Sequence, residues 1–301
     1  MLYLSKKRVK MNTDPILQIS GVKFFDNTQS CISNFQKTSW IKKAISFIQS
    51  FGALLVYALN KMSLSVRRVD AKMDPLTKVD TRELSKKRLV VCVHGLNNNP
   101  TQFKKIVDAM QEKDLSETDI FIPRVLQKGN AKLDEMVKPI FDEIVKWAQT
   151  SDEKELVLVG VSNGGRIARA IEAEIAKSEI NVNINKLRFV SIVGACKGSS
   201  LVNFANKVGL SCVMSKNISE EMATTSKRNE QLNEEWTNAL SNAPKRKYTF
   251  IASPHDWQVT NYDSTLMEVN GQNASYAIVT GHGHNSIVNA VASVVSELIL
   301  T

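Results

Sequence analysis

One serine and two late histidines set what chemistry this chain can perform. The pentapeptide Gly160-Val161-Ser162-Asn163-Gly164 lies between an apolar run, Leu156–Val159, and a helical pattern, Asn163–Ser178. A serine in a tight strand-to-helix turn has its hydroxyl exposed, and flanking glycines remove Cβ atoms that would clash there. A hydroxyl is a poor nucleophile at neutral pH and needs a base. For a serine in such a turn, an Asp or Glu and then a His follow in the chain, each just after a later strand. His282 and His284, two of only four histidines, stand in Thr280-Gly-His-Gly-His284, after the run Tyr276–Val279. His284 directly precedes the final helical pattern and is the first choice of base, with His282 second. Asp256, just after the run Tyr248–Ala252, is the first choice of acid, with Asp263 second. Together these residues point to attack on an acyl carbonyl and a covalent acyl intermediate.

The tetrahedral oxyanion of such a reaction needs two amide donors. One is the amide after the nucleophile, here Asn163, and the other comes from a loop after an earlier strand. Val93-His94-Gly95-Leu96-Asn97-Asn98-Asn99-Pro100 follows the first clear strand, and Leu96 is its candidate amide. His94 reads as a residue that ties this loop down. Asn99-Pro100 reads as turn chemistry.

These groups must be held by regular elements. From Arg88 onward, short apolar strands alternate with longer amphipathic stretches. Strands are expected at Leu89–Val93, Asp119–Ile122, Leu156–Val159, Arg188–Val193, Tyr248–Ala252 and Tyr276–Val279. Helices are expected at Thr101–Lys113, Lys132–Gln149, Asn163–Ser178 and Asn285–Leu300. That alternation implies βαβ units, hence an α/β fold with a mostly parallel sheet flanked by helices. More than 50 residues separate the strands ending at Val193 and starting at Tyr248. A long interval in a regular domain reads as a lid or cap, here 196–246. Its apolar residues, Leu201, Val202, Phe204, Val208, Leu210, Val213 and Met214, either shape an acyl-chain site or pack on the core.

Charge divides the chain. Residues 1–88 hold 17 Lys+Arg against 6 Asp+Glu, so the overall net charge of +9 belongs to the N-terminal third. The expected organisation is a basic accessory segment, 1–87, with an apolar helix at 41–59, followed by a catalytic domain, 88–301. The apolar helix has basic flanks. It either packs on the domain or meets a membrane surface, so residues 1–70 are the candidate peripheral membrane contact. Its uninterrupted apolar part, Phe51–Leu59, is too short to span a bilayer. Basic residues without aromatic interleaving or a helix–turn–helix pattern argue against nucleic acid. The four cysteines show no metal-ligand spacing, so no metal, cofactor or required disulfide is expected. With no secretory signal pattern, a cytoplasmic location is expected, peripheral to a membrane if residues 1–70 bind one.

With these residues in view, the stretch from Leu89 to Leu300 resembles the α/β-hydrolase superfamily, and within it the lipases and GPI inositol-deacylase-like lipases. The resemblance rests on His94-Gly95, Gly160–Gly164, Gly194-Ala-Cys-Lys-Gly-Ser199, Met222–Leu232, Asp256-Trp-Gln-Val259 and Gly283-His284. Cys196 stands where that group has proline, and Asn163 where it often has His or Gln. The resemblance implies a Ser162–Asp256–His284 triad and hydrolysis of a small-molecule or lipid acyl ester. A thioesterase or acyltransferase would use the same residues, and a non-catalytic binding protein could keep the fold.

Overall fold

The computed structural model describes residues 22–25, 29, 31, 84–150, 153–209, 215–241, 246–269 and 273–301. Seven strands form one sheet: β1 (Val22–Phe25), β2 (Arg88–Val93), β3 (Thr118–Phe121), β4 (Lys154–Val161), β5 (Ile184–Ile192), β6 (Arg246–Ala252) and β7 (Asn273–Val279). Their spatial order is β1-β7-β6-β5-β4-β2-β3. All pairs are parallel except β1 with β7, where Val22 faces Val279. The chain runs outward from β2 to β3, then crosses to β4 on the other side of β2. Strand order therefore reverses at the β2/β4 pair, and the crevice beyond the carboxyl ends of such a pair is where ligands bind in open α/β sheets.

Each central strand is buried on both sides, and its alternate residues feed two separate cores. Leu89, Val91 and Val93 of β2 and Leu156 and Leu158 of β4 point to one face. Val90 and Cys92 of β2, with Val157, Val159 and Val161 of β4, point to the other. The helices are α1 (Lys104–Gln111), α2 (Leu133–Ala148), α3 (Asn163–Lys177), α4 (Ser200–Lys207), α5 (Lys216–Glu221), α6 (Lys227–Ser241), α7 (Tyr262–Thr265), α8 (Ser286–Ala290) and α9 (Ala292–Leu300). The first core is closed by α2, α3 and α6, through residues such as Trp147, Ile171 and Trp236. The second is closed by α1, α8 and α9, through Ile106, Val288 and Val295. Cys92 is fully buried, and burial pushes its thiol up to about 12, so it packs as an inert apolar side chain.

All six expected strands form, within a few residues of their expected ends. Two of the four expected helices are broken into shorter pieces. Thr101–Lys113 begins as a 3₁₀ turn, Pro100–Phe103, where Asn99 Oδ1 accepts from the Thr101 amide at 2.9 Å. Asn285–Leu300 divides at Val291, and the insertion adds three helices, α4, α5 and α6. Strand β1 was not expected. It comes from the stretch read as accessory, so that stretch contributes an edge strand to the seven-stranded sheet. The apolar helix expected at 41–59 lies outside the described residues. Among the described residues, no helix is long and apolar enough to cross a membrane.

Helix α6, from the insertion, is bound to α3 through buried polar groups as well as apolar ones. Glu172 of α3 is completely buried, and it accepts hydrogen bonds from Trp236 Nε1, Arg246 and the Tyr248 hydroxyl. Burial, then the Glu172 charge, pushes the Tyr248 phenol well above its ordinary range, so it stays a neutral donor. Removing one member strands a buried charge. We expect Glu172→Ala to cost roughly 3–5 kcal/mol, because the Arg246 guanidinium would be left without its counter-ion. Urea unfolding measures this, and a loss below about 1 kcal/mol would show that the cluster does not hold α6 in place.

Candidate active site

Strand β4 and helix α3 meet at Ser162, whose backbone sits at φ 55° and ψ −125°. A non-glycine residue there carries roughly 1–3 kcal/mol of strain, which the surroundings must over-determine. They do so on both sides of the residue. The Ser162 amide donates to Ile192 O at 3.1 Å, while its carbonyl accepts from Gly165 N at 3.0 Å and Ala195 N at 2.9 Å. At Gly164, an added Cβ would fall onto the Val93 carbonyl at the end of β2. Only glycine lets the first turn of α3 come that close.

The loop after β2 passes directly over the serine. A Cβ at Gly95 would lie 2.9 Å from Ser162 Cβ. His94, just before it, is buried and bonded at both nitrogens. Nδ1 donates to Gly95 O at 2.9 Å, and Nε2 accepts from the Val125 amide at 3.1 Å. That pattern needs the neutral tautomer, and burial lowers the His94 pKa, outweighing the Gly95 carbonyl. His94 therefore ties its loop to the segment after β3, the scaffold role read from the sequence.

Of the two amide candidates, Leu96 lines the cavity in front of Ser162. Asn163 is fully buried, and its side chain turns away to donate to Gly129 O at 3.1 Å. Its main-chain amide is the first of α3, where a helix supplies no acceptor of its own. The Gly129 segment is a support that sequence reading missed. Asn97 N donates to Lys128 O at 2.7 Å, and Asn130 Nδ2 donates to Asn97 Oδ1 at 2.8 Å. Asn217 Nδ2 of α5 then donates to Asn130 O at 3.1 Å, so two loops and α5 are stitched around one rim.

The structure brings Asp256 and His284 together and leaves their alternatives aside. His284 Nδ1 lies 2.8 Å from Asp256 Oδ2, with both side chains almost wholly buried. Asp256 Oδ1 accepts from the amides of Gln258 at 2.8 Å and Val259 at 3.1 Å. A carboxylate held by two amides keeps its other oxygen aimed at the imidazole. With Nδ1 donating, Nε2 is the nitrogen left to take a proton. His282 is half-buried, and its main-chain carbonyl accepts from Ser253 Oγ. Asp263 is exposed in the first turn of α7.

Ser162 opens into a cavity of about 380 Å³. Residues adjoining both members of the buried pair line it as well: Asn285 next to His284, and Trp257, Gln258 and Val259 after Asp256. The insertion supplies Leu201 and Val202 from α4, together with Ile218 and Met222. Of the other apolar residues expected there, Phe204 is half-buried, Val208 is 47% exposed, and Leu210, Val213 and Met214 lie outside the described residues. Such an arrangement can perform nucleophilic acyl transfer, with a base oriented by a buried acid.

A family model described as "Putative serine esterase (DUF676)" matches residues 83–261. The chain belongs to the DUF676 family. This makes it a serine ester hydrolase, and the matched stretch contains Ser162 and Asp256. His284 lies beyond it, on the segment that follows β7. Among solved structures, the DUF676 chain is similar to ferulic-acid-bound Est1E from Butyrivibrio proteoclasticus. Identity is 15%, coverage is 71% of this chain and 89% of that one, and the TM-score is 0.49. It is also similar to a lipase-esterase related protein from Clostridium acetobutylicum, at 16% identity, 72% and 94% coverage and a TM-score of 0.44. A third is the esterase EaEST from Exiguobacterium antarcticum, at 14% identity, 72% and 93% coverage and a TM-score of 0.45. No curated protein matches the chain.

The Gly164 contact gives a direct test of the turn. We expect Gly164→Ala to lower stability by roughly 1–3 kcal/mol, as overpacking does. Ester turnover should fall by more than the loss of folded protein explains. Full activity in the folded variant would mean that α3 need not sit so close to β2.

Proposed function

We propose that this serine ester hydrolase works through Ser162, His284 and Asp256, on carboxylic esters with an apolar acyl chain. The observation that carries the proposal is the buried 2.8 Å contact between His284 Nδ1 and Asp256 Oδ2, set behind the cavity onto which the strained Ser162 opens. Asp256 keeps the imidazole in the tautomer whose Nε2 is free, and it stabilises the charge that the ring acquires. His284 takes the Ser162 proton as Oγ bonds to the acyl carbon, and the carbonyl oxygen becomes an oxyanion. The amides of Leu96 and Asn163 receive that charge. Fixed donors in a water-poor site need little reorganisation, which is why they contribute strongly. Collapse breaks the bond to the alcohol oxygen, which leaves with the proton from His284. Water, deprotonated by His284, then releases the acid from Ser162. The apolar wall built by Val202, Ile218 and Met222 supports a lipid-like acyl group, because it offers dry contact and no hydrogen bonds.

Steady-state kinetics with a short-chain p-nitrophenyl ester tests the assignment. Ser162→Ala should lower kcat on the order of a millionfold. Asp256→Asn should cost about ten-thousandfold, since it permits the wrong imidazole tautomer. If either folded variant keeps kcat within about tenfold of the parent, the proposed triad is wrong.

A further inference from the structure

We infer that the alcohol released by this enzyme is uncharged and carries a further hydroxyl, which Gln258 and Asn285 bind. The inference rests on the catalytic reading above, since it places the alcohol by the direction of proton transfer. His284 must hand its proton to the leaving oxygen, so the alcohol lies on the side of the cavity that His284 serves. Asn285 follows His284 directly, and Gln258 follows Asp256 by two residues; both line the cavity.

Their side chains are uncommitted. Among the described residues, neither side-chain amide makes a hydrogen bond, although the main chain around each is fixed. The Gln258 amide donates to Asp256 Oδ1 at 2.8 Å, and its carbonyl accepts from Ser199 Oγ at 3.1 Å. Asn285 stands at the N-cap of α8 but makes no side-chain cap bond there. A carboxamide both donates and accepts, which matches a hydroxyl and gives no charge to pair with an ion.

The rest of the lining points the same way. Val202, Ile218, Met222 and Val259, with Leu96, form an apolar cluster separate from the two cores and facing the cavity. That side takes the acyl chain. Among the described residues, none that lines the cavity is charged. A cationic or anionic alcohol would lose hydration on entry with no counter-ion to replace it. A neutral hydroxylated alcohol loses little and gains two amides.

The test compares kcat/KM for four butyrate esters that share one acyl group: 1-glyceryl, propyl, choline and 3-sulfopropyl. We expect the glyceryl ester to exceed the propyl ester about tenfold, the scale of one or two hydrogen bonds near solvent. The choline and sulfopropyl esters should fall below both. In Asn285→Ala and in Gln258→Leu, the glyceryl-to-propyl ratio should drop towards one. Both positions are at least partly exposed, so these variants should fold. Equal turnover of glyceryl and propyl esters by the parent would overturn the inference. So would preference for a charged ester, or an unchanged ratio in both variants. Failure of the catalytic reading shows separately, as turnover that survives Ser162→Ala. Turnover of none of the four esters overturns both.

Discussion

Everything at this site depends on how closely helix α3 approaches the end of strand β2. Gly164 rests against the Val93 carbonyl with no room for a side chain, and that contact forces the turn at Ser162. The strain is held by a hydrogen bond within the turn, from Gly165, and by two from the end of β5 and the loop after it. Ile192 accepts from the Ser162 amide, and the Ala195 amide donates to the Ser162 carbonyl. The same crowding brings Gly95 over the serine and so places the Leu96 loop at the mouth of the cavity. Ser162 and the Leu96 loop thus share one packing constraint at the point where strand order reverses.

A second constraint fixes the cavity's far wall. Arg166, Arg169 and Glu172 lie along one face of α3, and all three are buried. Arg166 Nε donates to Asn229 Oδ1 at 2.7 Å, and Asn229 Nδ2 donates to Ala223 O at 2.7 Å, beside the lining residue Met222. Arg169 bonds Cys196 O and Asn233 and stacks over Trp236. Burying these charges is costly, and Arg169 Nε has no partner among the described residues. In return, hydrogen bonds allow only one seating of α6 and its preceding turn, where apolar packing alone would allow several. Helix α6, within the interval expected to form a cap, is therefore anchored to the helix that begins after Ser162, next to the turn that carries Met222. The cavity residue Met222 and Ser162 are thus both referenced to α3.

Much of this was legible in the residues, for physical reasons. The six main strands stand out as short apolar runs because parallel strands are buried on both faces. Asp256 and His284 could be named because each directly follows such a run. Strand β1 escaped notice, since Val-Lys-Phe-Phe is short and set within a basic stretch. The 126–130 segment was equally hidden. Its left-handed backbone falls on Gln127 and Lys128, residues that carry no turn signature. Arg166, Arg169 and Glu172 are visible at helical spacing, yet charges at that spacing ordinarily mark a solvated face. Only the placement of α6 buries them. Gln258 and Asn285 belong to no periodic pattern, and their position beside the buried pair emerges only when the strand ends converge.

The central claim is that Ser162 is the acylated residue. Mass spectrometry of the intact protein after treatment with a fluorophosphonate, followed by peptide mapping, tests it most directly. One adduct per chain is expected, on the peptide containing Ser162, with labelling slowed at least a thousandfold in His284→Ala. An adduct on another residue, or equal labelling of the His284 variant, would contradict the claim.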